Sequence, residues 1–300
     1  MSDSERVAYE EFSYFKDNAD EAGIEWTGPP VVRRVSTVLG DGRTLSALVW
    51  GTDTPEIVFL HGGAQNAHTW DTVALALNRP LVAIDLPGHG HSDGGAGGTT
   101  DIHRNAADIA TVIRELAPNA ELIVGMSLGG MTSVALAAHA PELVARLVLV
   151  DITPGVDGPK SQQIVDFVNG PESFPNFSEL LARTIEYNPT RTESSLRRGI
   201  LHNAMQQDDG TWVWRYRRFM DAGGEHPDFS TLWNVIGDST MPLMLVRGML
   251  PQSVVDDADE AELRLRRPDV MVIHIENAGH SIQGDQPVEL ANTIEKFLDK

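Results

Sequence analysis

The chain of 300 residues predicts an α/β fold, with a mostly parallel sheet covered by helices on both faces. Three observations predict it: short apolar runs recur along the chain, helix-like segments alternate with them, and one long stretch between two runs breaks the alternation. Residues 1–30 form a polar lead-in with some helical character, mixing acids with Tyr9, Phe12, Tyr14, Phe15 and Trp26 and ending in GPP. VVRRVSTVL (31–39) and TLSALVW (44–50) then read as an antiparallel hairpin on one edge, because the intervening GDGR supplies residues that accept positive φ.

EIVFL (56–60), PLVAIDL (80–86), ELIV (121–124), LVLVDI (147–152), PLMLV (242–246) and VMVIHI (270–275) are near-continuous apolar runs, as expected for strands buried on both faces. Helices are expected around 67–77, 102–117, 128–139, 258–266 and 286–298. Between 155 and 240, SQQIVDFVNG, SELLARTIEY, ESSLRRGILHNAM and TWVWRYRRFMDAGG look helical, with no convincing strand. This stretch is expected to be an all-helical lid inserted between core segments 31–154 and 241–300, and GGAGG at 94–98 to be a flexible loop.

Composition narrows the function. With 43 acidic against 23 basic residues the formal charge is −20, which repels nucleic acid and anionic lipid. The absence of cysteine excludes a disulfide framework, a thiol nucleophile, a zinc–thiolate site and an iron–sulfur cluster. No run approaches the roughly 18 apolar residues that a membrane span needs. The opening MSDSERVAYEEF has no apolar signal region, so a cytoplasmic protein is expected. No H-E-x-x-H pattern occurs, and neither metal nor cofactor is expected; the expected partner is a small-molecule substrate.

The chemistry centres on GMSLGG at 125–130. In G-x-S-x-G the chain turns sharply from strand to helix, which exposes the serine hydroxyl above the sheet beside the free N–H groups of a helix start. Gly125, Ser127 and Gly129 meet the pattern between an apolar run and a helical segment. Ser127 is therefore the candidate nucleophile, with the Leu128 N–H as one oxyanion donor. HGGAQNAHTW (61–70) follows the strand EIVFL, and its glycines let backbone approach a ligand, so the Gly63 N–H is the second donor. His61 is read as ordering this loop, and Asp85 as bracing the PGHGHS turn. His280 lies on a strand-end loop at the same sheet edge as Ser127 and is the candidate base.

HGG at 61–63, DLPGHGHSD at 85–93, GMSLGG at 125–130, LVLVDITP at 147–154 and AGHS at 278–281 occur in that order. Over roughly residues 30–300 the chain resembles the α/β-hydrolase family, of the lidded, lipase- and haloperoxidase-like kind. The resemblance implies an eight-stranded, mostly parallel sheet, a helical lid, and a triad in the order serine, acid, histidine. Most relatives carry the acid after the strand matching PLMLV, where this chain has Gln252. Asp151, at the end of LVLVDI, is the preferred acid, a position some relatives use, with Asp256 and Asp257 as alternatives. Asp256 and Asp257 also fit as helix caps.

The expected activity is cofactor-free cleavage of a carboxylic ester, and Met126, Leu128, Met131, Met249 and Leu250 suggest a mainly apolar substrate region. The same triad would serve a carbon–carbon bond hydrolase or a perhydrolase. The Gln252 departure also leaves open a small-molecule binding protein on a hydrolase fold. Trp212, Trp214, Tyr216, Phe219 and Trp233, with Phe167, Phe174 and Phe177, are expected mostly to pack within the lid, while His202 and His226 could reach a substrate.

Overall fold

A computed structural model describes residues 6–95, 100–218 and 228–300; Phe219, His226 and most of the GGAGG loop lie outside the described residues. The chain runs through α1 (Phe15–Ala22), β1 (Val32–Val38), β2 (Thr44–Trp50), β3 (Ile57–Leu60), α2 (Asp71–Leu77), β4 (Leu81–Ile84), α3 (Ile102–Leu116), β5 (Leu122–Met126), α4 (Leu128–His139) and β6 (Leu147–Val150). An inserted segment follows, with α5 (Gly158–Val168), β7 (Ser173–Phe174), α6 (Phe177–Tyr187), α7 (Glu193–Asn203), β8 (Ala204–Gln206), β9 (Trp212–Trp214) and α8 (Leu232–Asp238). The chain then returns to the sheet with β10 (Leu243–Gly248), α9 (Asp257–Arg266), β11 (Met271–Ile275), α10 (Ile282–Asp285) and α11 (Pro287–Leu298).

Eight strands form one sheet in the order β1-β2-β4-β3-β5-β6-β10-β11. The opening hairpin is antiparallel and occupies one edge, and all pairings from β4 to β11 are parallel. Alternation along each strand explains how the sheet fills two cores. Val58 and Leu60 of β3 face one apolar layer with Ile109, Met131 and Leu263, whereas Ile57 and Phe59 face the other with Trp70, Leu290 and Phe297. Leu128 through Leu136 of α4 are buried without a break, so this helix has no solvent stripe.

The inserted segment departs from the all-helical expectation. β7, β8 and β9 make a three-stranded antiparallel sheet in the order β7-β9-β8, so TWVW begins a strand rather than a helix. The run is too short to show a period, and its pairing depends on partners nearly 40 positions earlier, as in Phe174 with Trp212. Trp212 and Phe174 fill an apolar cluster with Leu180, Leu196 and Ile200, separate from the two layers flanking the main sheet. Local caps set the helix starts here: Asp157, Asn176 and Thr192 each accept from a backbone N–H in the first turn of the helix that follows. α8 instead packs Leu232, Trp233 and Ile236 into the layer that holds α4. Among the described residues no helix is long and apolar enough to cross a membrane.

Candidate active site

Six connections converge on the C-terminal ends of the parallel strands, the edge where open α/β sheets bind ligands. The elbow after β5 lies at the centre. Ser127 has φ 50 and ψ −118, a conformation that costs a non-glycine residue about 1–3 kcal/mol and is held by its surroundings. Its N–H donates to Val150 O on β6 at 3.4 Å and its carbonyl accepts from Met131 N, leaving the Leu128 N–H at the open start of α4. A Cβ on Gly129 would stand 2.6 Å from His61 O and closer still to Leu60 O, which is why the position must be glycine.

The loop after β3 faces the elbow. A Cβ on Gly62 would collide with Met126 Sδ and come within 3.3 Å of Ser127 Cβ, so glycine is what lets this backbone approach the serine. The Gly62 N–H donates to Gln65 Oε1 at 3.2 Å and the Ala64 N–H to His89 Nε2 at 3.1 Å. The N–H between them, on Gly63, has no partner recorded among the described residues.

Two buried histidines hold this loop. The Leu86 N–H donates to His61 Nε2 at 2.9 Å, so the ring proton sits on Nδ1 and donates to Gly62 O at 2.7 Å. His89 repeats the arrangement, accepting from Ala64 N–H and donating from Nδ1 to Pro87 O at 3.1 Å. Burial disfavours their cations, lowering His61 and taking His89 down to about 3. His61 thus orders the loop, while the share taken by His89 was not legible in the sequence, where it is one of two histidines in the PGHGHS turn. Asp85 accepts from Ala67 N–H, His91 N–H and Arg34 Nη1, bracing both loops.

Asp151, directly after β6, is fully buried at φ 47. Its Oδ1 accepts from Gly248 N–H at 3.0 Å and Ser253 Oγ–H at 2.6 Å. Its Oδ2 accepts from Val254 N–H at 3.0 Å and His280 Nδ1 at 3.0 Å. Four donors fill the carboxylate and join the ends of β6, β10 and β11. With Nδ1–H directed at Asp151, His280 keeps Nε2 as a free base.

The alternative acids are engaged elsewhere. Asp256 caps α9 in a reciprocal capping box with Asp259, and Asp257 is exposed and pairs with Arg247 at 2.8 Å. Gln252 lines the cavity with its Oε1 buried and unpartnered, and no hydrogen bond joins it to His280 among the described residues. Ser253, one residue on, supplies the donor to Asp151. Nothing in the sequence separated it from an ordinary loop serine.

A cavity of about 250 Å³ is lined by Gly63, Ser127 and His280 from the core and by Ile164, Phe167 and Trp214 from the inserted segment. Of the five residues expected to make it apolar, only Met126 lines it. Leu128 and Met131 point into the core beside α3, and Met249 lies 38 % exposed. The corrected lining is mixed, with Gln65, Asn66, Thr69 and Asn203 among its polar members. His202 also lines the cavity.

His68, Asp71 and His202 bring three potential ligand atoms within 4.8 Å of one another. The two rings, however, stack at 3.7 Å with planes 13° apart, so their in-plane lone pairs do not aim at a common point. His68 instead bonds Asp71 Oδ2 at 2.8 Å and Glu11 Oε1 at 3.0 Å. Burial alone would lower its pKa, and the two carboxylates outweigh burial and raise it to about 9. His68, its cation favoured, thus joins the lead-in to α2.

Residues 57–293 match the alpha/beta hydrolase family. The esterase Rv0045c of Mycobacterium tuberculosis is 44 % identical, over 100 % of this chain and 99 % of its own length. A crystal structure of that esterase superposes with a TM-score of 0.87 at 42 % identity, covering 99 % of this chain and 100 % of the other. The 2-(acetamidomethylene)succinate hydrolase of Mesorhizobium japonicum is 28 % identical over 82 % of this chain and 88 % of its own. A crystal structure of E-2-(acetamidomethylene)succinate hydrolase gives a TM-score of 0.76 at 26 % identity, covering 90 % of this chain and 100 % of the other. With its elbow, its sheet order and its full-length match to an esterase, the chain belongs to the alpha/beta hydrolase family.

Proposed function

We propose that this protein is a cofactor-free serine hydrolase that cleaves a carboxylic ester of small to medium size through an acyl-enzyme. The observation that carries the reading is the strained Ser127 sharing one cavity with His280, whose Nδ1 lies 3.0 Å from Asp151 Oδ2. Ser127 Oγ attacks the ester carbonyl carbon as His280 Nε2 takes its proton, and Asp151 stabilises the imidazolium. The N–H groups of Gly63 and Leu128 receive the oxyanion. His280 returns the proton to the leaving alcohol, then activates the water that releases the acid. The mainly apolar part of the substrate lies against Met126, Ile164, Phe167 and Trp214, and the segment 155–240 acts as the lid. The 44 % identity to a named esterase supports the same reaction class.

A fluorophosphonate probe is expected to label folded protein at Ser127, located by peptide mass spectrometry, and p-nitrophenyl esters to be hydrolysed by wild type but not by Ser127→Ala. Folded wild type that takes no label and turns over no ester would reject the proposal.

A further inference from the structure

Among the described residues, one positive charge lining the cavity has no ion-pair partner. Arg191, just before α7, lines it together with Ser127 and His280. Its Nη2 donates to Ser195 Oγ, its Nε is sealed from water without a hydrogen-bond partner, and among the described residues no carboxylate pairs with it. Arg198, on α7 itself, shows the contrast: it bonds Asn18 Oδ1 and Ser194 Oγ and pairs with Glu21.

The neighbouring acids are occupied. Asp285 accepts from Thr190 Oγ1 at 2.8 Å and from Gly279 N–H at 2.8 Å, and Glu21 is held by Arg198 and Thr192. Burial draws the Arg191 pKa below its ordinary value, and the fields of Asp285 and Glu21 offset this only in part. A half-buried guanidinium whose Nε is sealed from water is under-solvated, and an incoming anion would relieve it.

The placement is also specific. A Cβ on Gly284 would stand 2.5 Å from Arg191 Cζ, so the guanidinium rests against bare backbone four residues beyond His280. In a chain of net charge −20, an anionic ligand needs such a local cation to enter. The planar fork of an arginine matches a carboxylate with two parallel hydrogen bonds. Phe167 and Trp214 supply apolar wall in the same cavity, suited to a short methylene chain.

We infer that Arg191 anchors a carboxylate on the substrate, so that the preferred substrates are half-esters of short dicarboxylic acids, with the ester at Ser127 and the free carboxylate at Arg191. This rests on the esterase reading, and its test separates the two. In calorimetric titrations, adipate is expected to bind wild type about tenfold or more tightly than neutral adipamide. Arg191→Gln should abolish that preference and Arg191→Lys keep part of it. In turnover, wild type should favour monomethyl adipate over methyl hexanoate in kcat/KM, and Arg191→Gln should lose the preference mainly through KM.

Equal binding of adipate and adipamide by wild type, or a preference that survives in folded Arg191→Gln, would overturn the anchor, whether or not esters are cleaved. Arg191-dependent adipate binding without hydrolysis of either ester would leave the anchor standing and remove the esterase reading. If Arg191→Gln does not fold, the wild-type comparison still decides, because an absent preference overturns the proposal and a preference weakened in Arg191→Lys supports it.

Discussion

His280 Nδ1 and Asp151 Oδ2 stand 3.0 Å apart although 129 positions separate them in the chain. The contact exists because β10 lies between β6 and β11 and, with the loop that follows it, presents Gly248, Ser253 and Val254 as further donors to the same carboxylate.

Asp151→Asn should therefore cut kcat by about 10⁴-fold, because an amide neither fixes the Nδ1–H tautomer nor balances the imidazolium. Asp256→Asn and Asp257→Asn should leave turnover within about twofold. Steady-state kinetics on one ester with the three variants gives the answer; a loss confined to Asp256→Asn or Asp257→Asn would remove Asp151 from the proposed triad.

Gly129→Ala tests the elbow as a packing device. The added methyl meets His61 O at 2.6 Å, backbone that cannot step aside without moving β3. Overpacking of this kind costs about 1–3 kcal/mol, and thermal melting should show it as a lower Tm. An unchanged Tm would mean that strand and helix are not held as close as described.

The lead-in network gives a pH dependence. His68 has its pKa raised from 6.5 to about 9, so its contribution to stability is complete below 6.5 and is lost as the pH rises through 9. Burial alone would raise the pKa of Glu11, yet hydrogen bonds from His68 and Arg34 bring it from 4.5 down to about 2. Its contribution is therefore present above 4.5 and fades as the pH falls through 2. Buried His61, His89 and His202 act in the opposite sense to His68, losing stability as they charge below 6.5, so the informative quantity is the difference between wild type and a variant. In urea titrations, His68→Gln should be least stable relative to wild type near pH 6, with the gap closing toward pH 9.5. A gap that does not change with pH would show that the His68 pKa is the same in the folded and unfolded chain.

By itself the sequence determined what is local. Apolar runs set the strands, so β2 and α4 begin and end where the pattern predicts. The glycines around Ser127 determined the elbow, because a strand-to-helix corner that tight has few chemical solutions. His280 was also legible, from its place on a loop after the last strand.

Tertiary structure decided everything that depends on strand order. The sequence favoured Asp151 but left Asp256 and Asp257 as alternatives, and it is the register of β6, β10 and β11 that brings Asp151 rather than either of them to His280. Residues of β9 read as helix until Phe174 and Ala204 paired with them, because three residues carry no period of their own. The polarity of the cavity escaped for the same reason. Leu128 and Met131 are neighbours of Ser127 in sequence, yet the turn of α4 sends their side chains into the core, while Arg191 reaches the cavity from 64 positions away.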